Sequence, residues 1–106
     1  MKSERNSNNN VLNAVRSRRK KFDIGQTMIT LNAHAHLTQE DILGALYRHI
    51  EGDWGDLCAE DRQANETALR EELRLLSVYR SKSGTAFWVI TEADRNTTTV
   101  LLPEEY

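Results

Sequence analysis

The stretch GDWGDL, residues 52–57, constrains the fold most because it interrupts two helical patterns with a corner that no regular element can contain. Two glycines and two aspartates lie within it, and these residue types favour turns over the interiors of helices and strands. The stretch also holds one of the two tryptophans in the chain. A fold built on this sequence must therefore turn sharply here and must cover a large apolar ring.

The segments on either side of this corner predict two helices. Residues 37–52 predict the first, with Thr38 as N-cap and Gly52 as the stop. Apolar residues at helical spacing give it one continuous face, formed by Ile42, Leu43, Leu46, Tyr47 and Ile50. Residues 58–73 predict the second, with Asp56 as N-cap and a thin apolar face that is typical of a surface helix.

Four segments rich in β-branched and aromatic residues predict strands. The first is QTMITLNAH, residues 26–34, and the others are residues 75–81, 85–91 and 97–102. A short glycine-containing turn at 82–84 and a longer loop at 92–96 connect the last three runs as a meander. Alternation in the middle run places Trp88 on the face opposite Phe87 and Val89.

The order β-α-α-β-β-β predicts an α+β fold in two layers, with an antiparallel sheet and two helices on one of its faces. The length of 106 residues suits one small domain, which we expect to span residues 22–106. A free sheet edge after residue 102 would allow pairing with a second copy, so a homodimer is possible.

Charge is distributed unevenly along the chain. Residues 1–21 carry seven basic side chains and one acidic, a net charge of +6, whereas residues 22–106 carry seven basic and fifteen acidic, a net charge of −8. We expect residues 1–21 to form a flexible basic arm. Its candidate nucleic-acid-binding residues are Arg16, Arg18, Arg19, Lys20 and Lys21. The alternative is a solubilising tail, or one that folds back onto the acidic body.

The composition sets several further expectations. A single cysteine, Cys58, excludes a disulfide within the chain and fits a reducing compartment. No apolar run approaches the roughly 20 residues of a membrane span, and the polar N-terminus lacks the apolar region of a signal peptide. We therefore expect a cytoplasmic protein. We expect no cofactor or metal, since glycine-rich phosphate loops, HExxH and GxSxG motifs are absent from the sequence.

Trp54 has two interpretations. In the structural one, the glycines and aspartates of the corner make the turn, and the ring pins it against the core or the sheet edge. In the functional one, the ring is an exposed anchor and the neighbouring acids favour a basic partner. The candidate protein-binding residues are Asp53, Trp54, Asp56 and Trp88, the last if its face of the sheet is open.

Two other groups carry residue types suited to chemistry. The HAH run puts His34 and His36 on one face of a strand, which supplies half of a metal site, although edge histidines have the same pattern. The TEADR run groups Glu92, Asp94 and Arg95 in a loop, as acid–base catalysis would need. An ordinary charged hairpin loop has this composition as well.

Residues 52–106 resemble a family of small bacterial proteins from mobile elements. The resemblance is carried by GDWGDLCAEDRQAN, RLLSVYRS and FWVITEADRNTTTVLLPEEY, and upstream by FDIGQTMIT and LGALYRHIEGDWG. Members are labelled plasmid-related proteins or subunits of a type I restriction enzyme. At 106 residues and without a cofactor-binding glycine loop, the chain is too short for a methyltransferase subunit. The resemblance implies a setting near defence or anti-defence genes and transfers no catalytic residues.

These observations favour a non-enzymatic binding protein of a plasmid, phage or integrated element. It would dock a protein partner, and proteins that act in DNA transactions, defence or anti-defence are the candidates. The first alternative is a weak, non-specific nucleic-acid binder that uses the basic arm. The second is a small hydrolase or nuclease that uses Glu92, Asp94 and a histidine.

Overall fold

A four-stranded sheet and three helices form the domain in the computed structural model, which describes residues 19–106. The α+β class is therefore confirmed. The strands are β1 (Gln26–Ile29), β2 (Leu75–Arg80), β3 (Ala86–Thr91) and β4 (Thr97–Leu101). The helices are α1 (Leu31–His36), α2 (Gln39–Ile50) and α3 (Ala59–Glu71), and a single 3₁₀ turn follows at Pro103–Glu105.

The sheet is mixed, with the strand order β1-β4-β3-β2. The meander β2-β3-β4 is antiparallel, as expected. The prediction of a wholly antiparallel sheet is wrong at β1, which runs parallel to β4. Parallel pairing requires a long connection that returns the chain to the same end of the sheet. Here the three helices and strands β2 and β3, which lie between Ile29 and Thr97, form that connection. Because β4 lies inside the sheet, the predicted free edge after residue 102 is wrong too, and β1 forms that edge.

The prediction of a strand over residues 26–34 is wrong after Ile29, because α1 begins there. The Thr30 hydroxyl accepts a hydrogen bond from the Ala33 amide at 3.1 Å and caps the new helix. Thr30, a residue type that favours strands, thus acts here as a helix N-cap. His34 and His36 consequently lie on an exposed helix rather than on a strand.

Helix α2 is confirmed, and its start is held by a reciprocal cap. The Thr38 hydroxyl accepts from the Asp41 amide at 3.0 Å, and the Asp41 carboxylate accepts from the Thr38 amide at 3.1 Å. This backbone hydrogen bond from Thr38 is the main reason that the pKa of Asp41 is lowered. Five side chains of the helix are buried on the sheet side, namely Ile42, Ala45, Leu46, His49 and Ile50.

Helix α3 begins at Ala59 with Cys58 as N-cap, so the prediction of Asp56 as N-cap is wrong. The amide of Asp56 donates instead to the carbonyl of Val78, which fixes residue 56 to strand β2. Only Asn65 and Ala68 of the helix are buried, as a thin apolar face implies. Ala68 packs with Ile50 of α2 and Leu75 of β2.

All three helices cover one face of the sheet. The other face, which we call the open face, carries two buried side chains, Ile90 and Leu101, and several half-buried ones, namely Leu76, Val78, Trp88 and Thr99. The C-terminal segment crosses part of it, since the ring of Tyr106 contacts that of Trp88. Within residues 19–106 no helix combines the length and the apolar character that crossing a bilayer requires.

Candidate functional site

The GDWGDL corner lies along the outer edge of strand β2. Gly55 forms a parallel bridge with Val78. The Val78 amide donates to the Trp54 carbonyl at 3.1 Å, and the Asp56 amide donates to the Val78 carbonyl at 2.8 Å. Gly55 has φ +78°, and a Cβ there would lie 1.9 Å from the Val78 carbonyl oxygen, so only glycine allows this approach.

The buried side chain of Asn65 on helix α3 covers the next part of the same edge. Its amide nitrogen donates to the Leu76 carbonyl at 2.6 Å, and its carbonyl oxygen accepts from the Leu76 amide at 3.2 Å. The side chain thus makes the pair of hydrogen bonds that a neighbouring strand would make. Together with the corner, it occupies the outer backbone groups of β2 at Leu76 and Val78.

The Trp54 side chain is 4% exposed. Its ring stacks on Phe22 with the centroids 6.2 Å apart and meets the edge of His49 at 5.8 Å. The indole N–H donates to the Glu66 carboxylate at 2.8 Å. This geometry is the one that the structural interpretation describes, in which the ring pins the corner, and it leaves little of the ring for a partner.

Asp53 is also engaged inside the corner. Its carboxylate pairs with the Arg48 guanidinium at 2.7 Å and accepts from the Gly55 amide at 3.2 Å. The hydrogen bond from Arg48 is the main cause of the lowered pKa of Asp53. The carboxylate of Asp56 is exposed to solvent. Asp53 is exposed as well, although its carboxylate is held by Arg48 and Gly55, so of the three candidates in the corner only the Trp54 side chain is buried.

A chain of buried polar groups runs beneath Trp54. His49 is fully buried, with Nδ1 2.6 Å from the Ser77 hydroxyl and Nε2 2.9 Å from the Thr91 hydroxyl. Thr91 is bonded in turn to Thr98, whose hydroxyl donates to the Ile24 carbonyl at 2.7 Å.

The donor and acceptor of each hydrogen bond from Thr98 to His49 Nε2 can be assigned from the last bond of the network, in which the Ile24 carbonyl can only accept. Since Thr98 donates its only hydroxyl proton to a carbonyl, Thr91 must donate to Thr98 and therefore accept from Nε2–H of His49. When the imidazole is neutral, its proton therefore lies on Nε2, and Nδ1 accepts from the Ser77 hydroxyl. Burial, reinforced by the charge of Arg95, lowers the pKa of His49 from 6.5 to about 3.

The predicted acid–base group in the loop at 92–96 does not converge on a histidine. The Glu92 carboxylate pairs with Arg74 at 3.3 Å, and that of Asp94 accepts from the Asn96 amide at 2.9 Å. The Arg95 guanidinium donates to backbone carbonyls, including those of Ala68, Leu73 and Glu92. Across residues 19–106, no three histidine, cysteine or acidic side chains come together as metal ligands would.

Three side chains that suit protein recognition meet on the open face. Trp88 is half-buried, and its ring centroid lies 5.2 Å from that of Tyr106, whose side chain is exposed. Arg74 donates to the Tyr106 hydroxyl at 2.6 Å, with its guanidinium carbon 5.6 Å from the ring centroid. We call Arg74, Trp88 and Tyr106 the aromatic patch. Sequence reasoning found only Trp88, because the other two reach it through the tertiary fold.

The basic arm enters the domain at the C-terminal end of α2. Arg16 and Arg18 lie outside the described residues, while Arg19, Lys20 and Lys21 are exposed. Lys20 pairs with Asp23 at 2.7 Å, and the Lys21 amide donates to the carbonyl of Ile50 at 2.7 Å. Lys20 and Lys21 therefore already contact the folded domain, although their side chains are exposed.

The chain was compared with known proteins at three levels. No protein-family model, no curated protein and no solved structure matches it.

Proposed function

We propose that the domain is a binding module that docks a protein partner through the aromatic patch. The observation that carries the proposal is the meeting of a tryptophan, a tyrosine and an arginine on the open face. These three residue types dominate the energetic centres of protein interfaces. Trp88 lies on a central strand, so the anchor is held rigidly before a partner arrives.

The electrostatics of the body indicate what kind of surface the partner presents. Residues 22–106 carry a net charge of −8, so a basic partner surface approaches faster and more selectively than an acidic one. The resemblance to mobile-element proteins leads us to place the partner among proteins of DNA transactions or defence. The same proposal puts the encounter in the cytoplasm.

A pull-down from bacterial lysate with nuclease tests this proposal. The tagged full chain is expected to recover a discrete protein, and Trp88→Ala and Tyr106→Ala are each expected to reduce its recovery by about tenfold. Lys82→Ala, at the exposed β2–β3 hairpin, is the control and should recover it as the unaltered chain does. Thermal melting of each variant separates lost binding from lost folding. Equal recovery by folded patch variants and the control would contradict the proposal.

The charge asymmetry favours one second candidate, nucleic-acid binding by the arm. We expect weak binding to a fluorescent DNA duplex whose affinity falls steeply as salt rises, because each lysine or arginine on a phosphate releases counterions. Replacing the five cations by glutamine in the full chain should abolish it; they are Arg16, Arg18, Arg19, Lys20 and Lys21. Fluorescence anisotropy measures the effect, and binding that persists in the glutamine variant would count against the arm.

A further inference from the structure

The outer edge of strand β1 has no strand beside it among residues 19–106. The amides of Gln26 and Thr30 point inward, since they donate to the carbonyls of Asn96 at 2.9 Å and Val100 at 3.1 Å. Peptide groups alternate in direction along a strand, so Thr27 and Ile29 direct their amides and carbonyls outward. A row of unsatisfied backbone groups of this kind is a template for another strand.

Exposed apolar side chains are concentrated at the same edge. Met28 is 47% exposed, Ile29 is 40% exposed and Leu31, just beyond the strand, is 88% exposed. Of the described residues, only two other large apolar side chains are comparably exposed, Leu73 and Tyr106. When another strand pairs with such an edge, the free backbone groups form hydrogen bonds and the adjacent apolar side chains are removed from water. Both changes stabilise the association.

Charge indicates what covers this edge. Residues 24–39 contain no aspartate, glutamate, lysine or arginine, whereas the body as a whole carries a net charge of −8. Two copies of an acidic domain repel each other over most of their surfaces. The β1 strand itself is a neutral stretch, and the carboxylate that the structure places beside it is that of Glu105, which accepts from the Thr30 hydroxyl at 2.7 Å. Two copies that meet along β1 therefore repel each other less than they would across the rest of the acidic surface.

We propose that two copies of the chain associate by pairing β1 against β1, antiparallel, about a twofold axis through Met28. In this register Thr27 of one copy faces Ile29 of the other, and their outward amides and carbonyls bond reciprocally. The two Met28 side chains meet on the open-face side, because Met28 shares that side with Thr99. The two sheets become one continuous sheet with the helices of both copies on the same face. This association does not depend on the aromatic patch.

Sedimentation velocity of the full chain over a concentration series tests the pairing. The unaltered chain is expected to dimerise reversibly, and Met28→Lys is expected to raise the dimer dissociation constant by about tenfold or more, since it places two like charges opposite each other. Ile29→Pro, which removes an outward amide, should act the same way. Leu73→Lys is the matched control, because it adds the same charge at an exposed leucine away from β1.

The register has its own test. Met28→Cys in a Cys58→Ser background should cross-link two chains in oxidised glutathione, whereas Gln26→Cys should not. The proposal is overturned if the unaltered chain is monomeric, as it would be if the first 18 residues covered β1. Equal weakening of the dimer by Met28→Lys and Leu73→Lys, or a dimer that Met28→Cys fails to cross-link, also overturns it. Melting curves confirm that each variant is folded.

Discussion

Replacing Gly55 by alanine is expected to lower the free energy of unfolding by about 3 kcal/mol or more. Part of the loss is the strain of a β-carbon at φ +78°. The rest follows because that carbon would lie 1.9 Å from the Val78 carbonyl oxygen, so the corner must leave β2. Both hydrogen bonds of Val78 to the corner are then lost. Urea denaturation measures the change.

Gly84→Ala is the control for this substitution. Gly84 also has a positive φ, of +96°, but nothing lies within 4 Å of the position of its Cβ. It should therefore cost only the backbone strain, about 1–2 kcal/mol. If Gly55→Ala costs no more than Gly84→Ala, the contact between the corner and β2 does not stabilise the domain as we describe.

Stability is expected to fall by about 1.4 kcal/mol for each pH unit between pH 6 and 4.5, because of His49. The pKa of His49 is lowered to about 3 in the folded chain, below its ordinary value of 6.5. The unfolded chain therefore binds a proton in this range that the folded chain does not. The contribution is fully present above pH 6.5 and is lost as the pH falls towards 3. The lowered carboxyl pKa values of Asp41 and Asp53 act in the same direction, because the unfolded chain takes up protons at these carboxylates before the folded chain does as the pH falls.

Urea denaturation at a series of pH values measures this slope, and His49→Gln is the matched variant. Glutamine keeps a donor and an acceptor but cannot take up the proton, so stability should become nearly flat above pH 4.5. NMR of the His49 ring gives an independent measurement in the folded chain. A ring that titrates near pH 6.5 would show that the buried network tolerates the imidazolium and would disprove the assignment.

Local patterns predicted the parts of this fold that local interactions determine. Helix α2 has a reciprocal cap at Thr38, a continuous apolar face and a glycine stop, and the structure contains it almost as predicted. The β2-β3-β4 meander follows from alternation and short turns. The direction of β1 did not follow, because its partner lies some seventy residues away along the chain. The end of β1 was missed because Thr30 has both strand and capping preferences.

The candidate functional residues likewise include some that have a local sequence signal and others that only the tertiary fold brings together. Trp54 was recognised as either a structural peg or an anchor, and only the packing of Phe22 and His49 against it distinguishes these. Neither the side chain of Asn65 nor the imidazole of His49 has a local signal, because both act through strands that are distant in sequence. Tyr106 joins Trp88 only once the C-terminal segment crosses the open face.

The asymmetry between the two edges of the sheet limits how far the chain can assemble. A sheet with two accessible edges adds copies without end, which is the route to fibrous aggregates. Here Gly55 and Asn65 occupy the β2 edge. In the dimer that we propose, both ends of the joint sheet are β2 strands whose outer backbone groups at Leu76 and Val78 are already bonded, so the pair would not add further copies. The GDWGDL corner, together with Asn65, would thereby limit assembly to two copies.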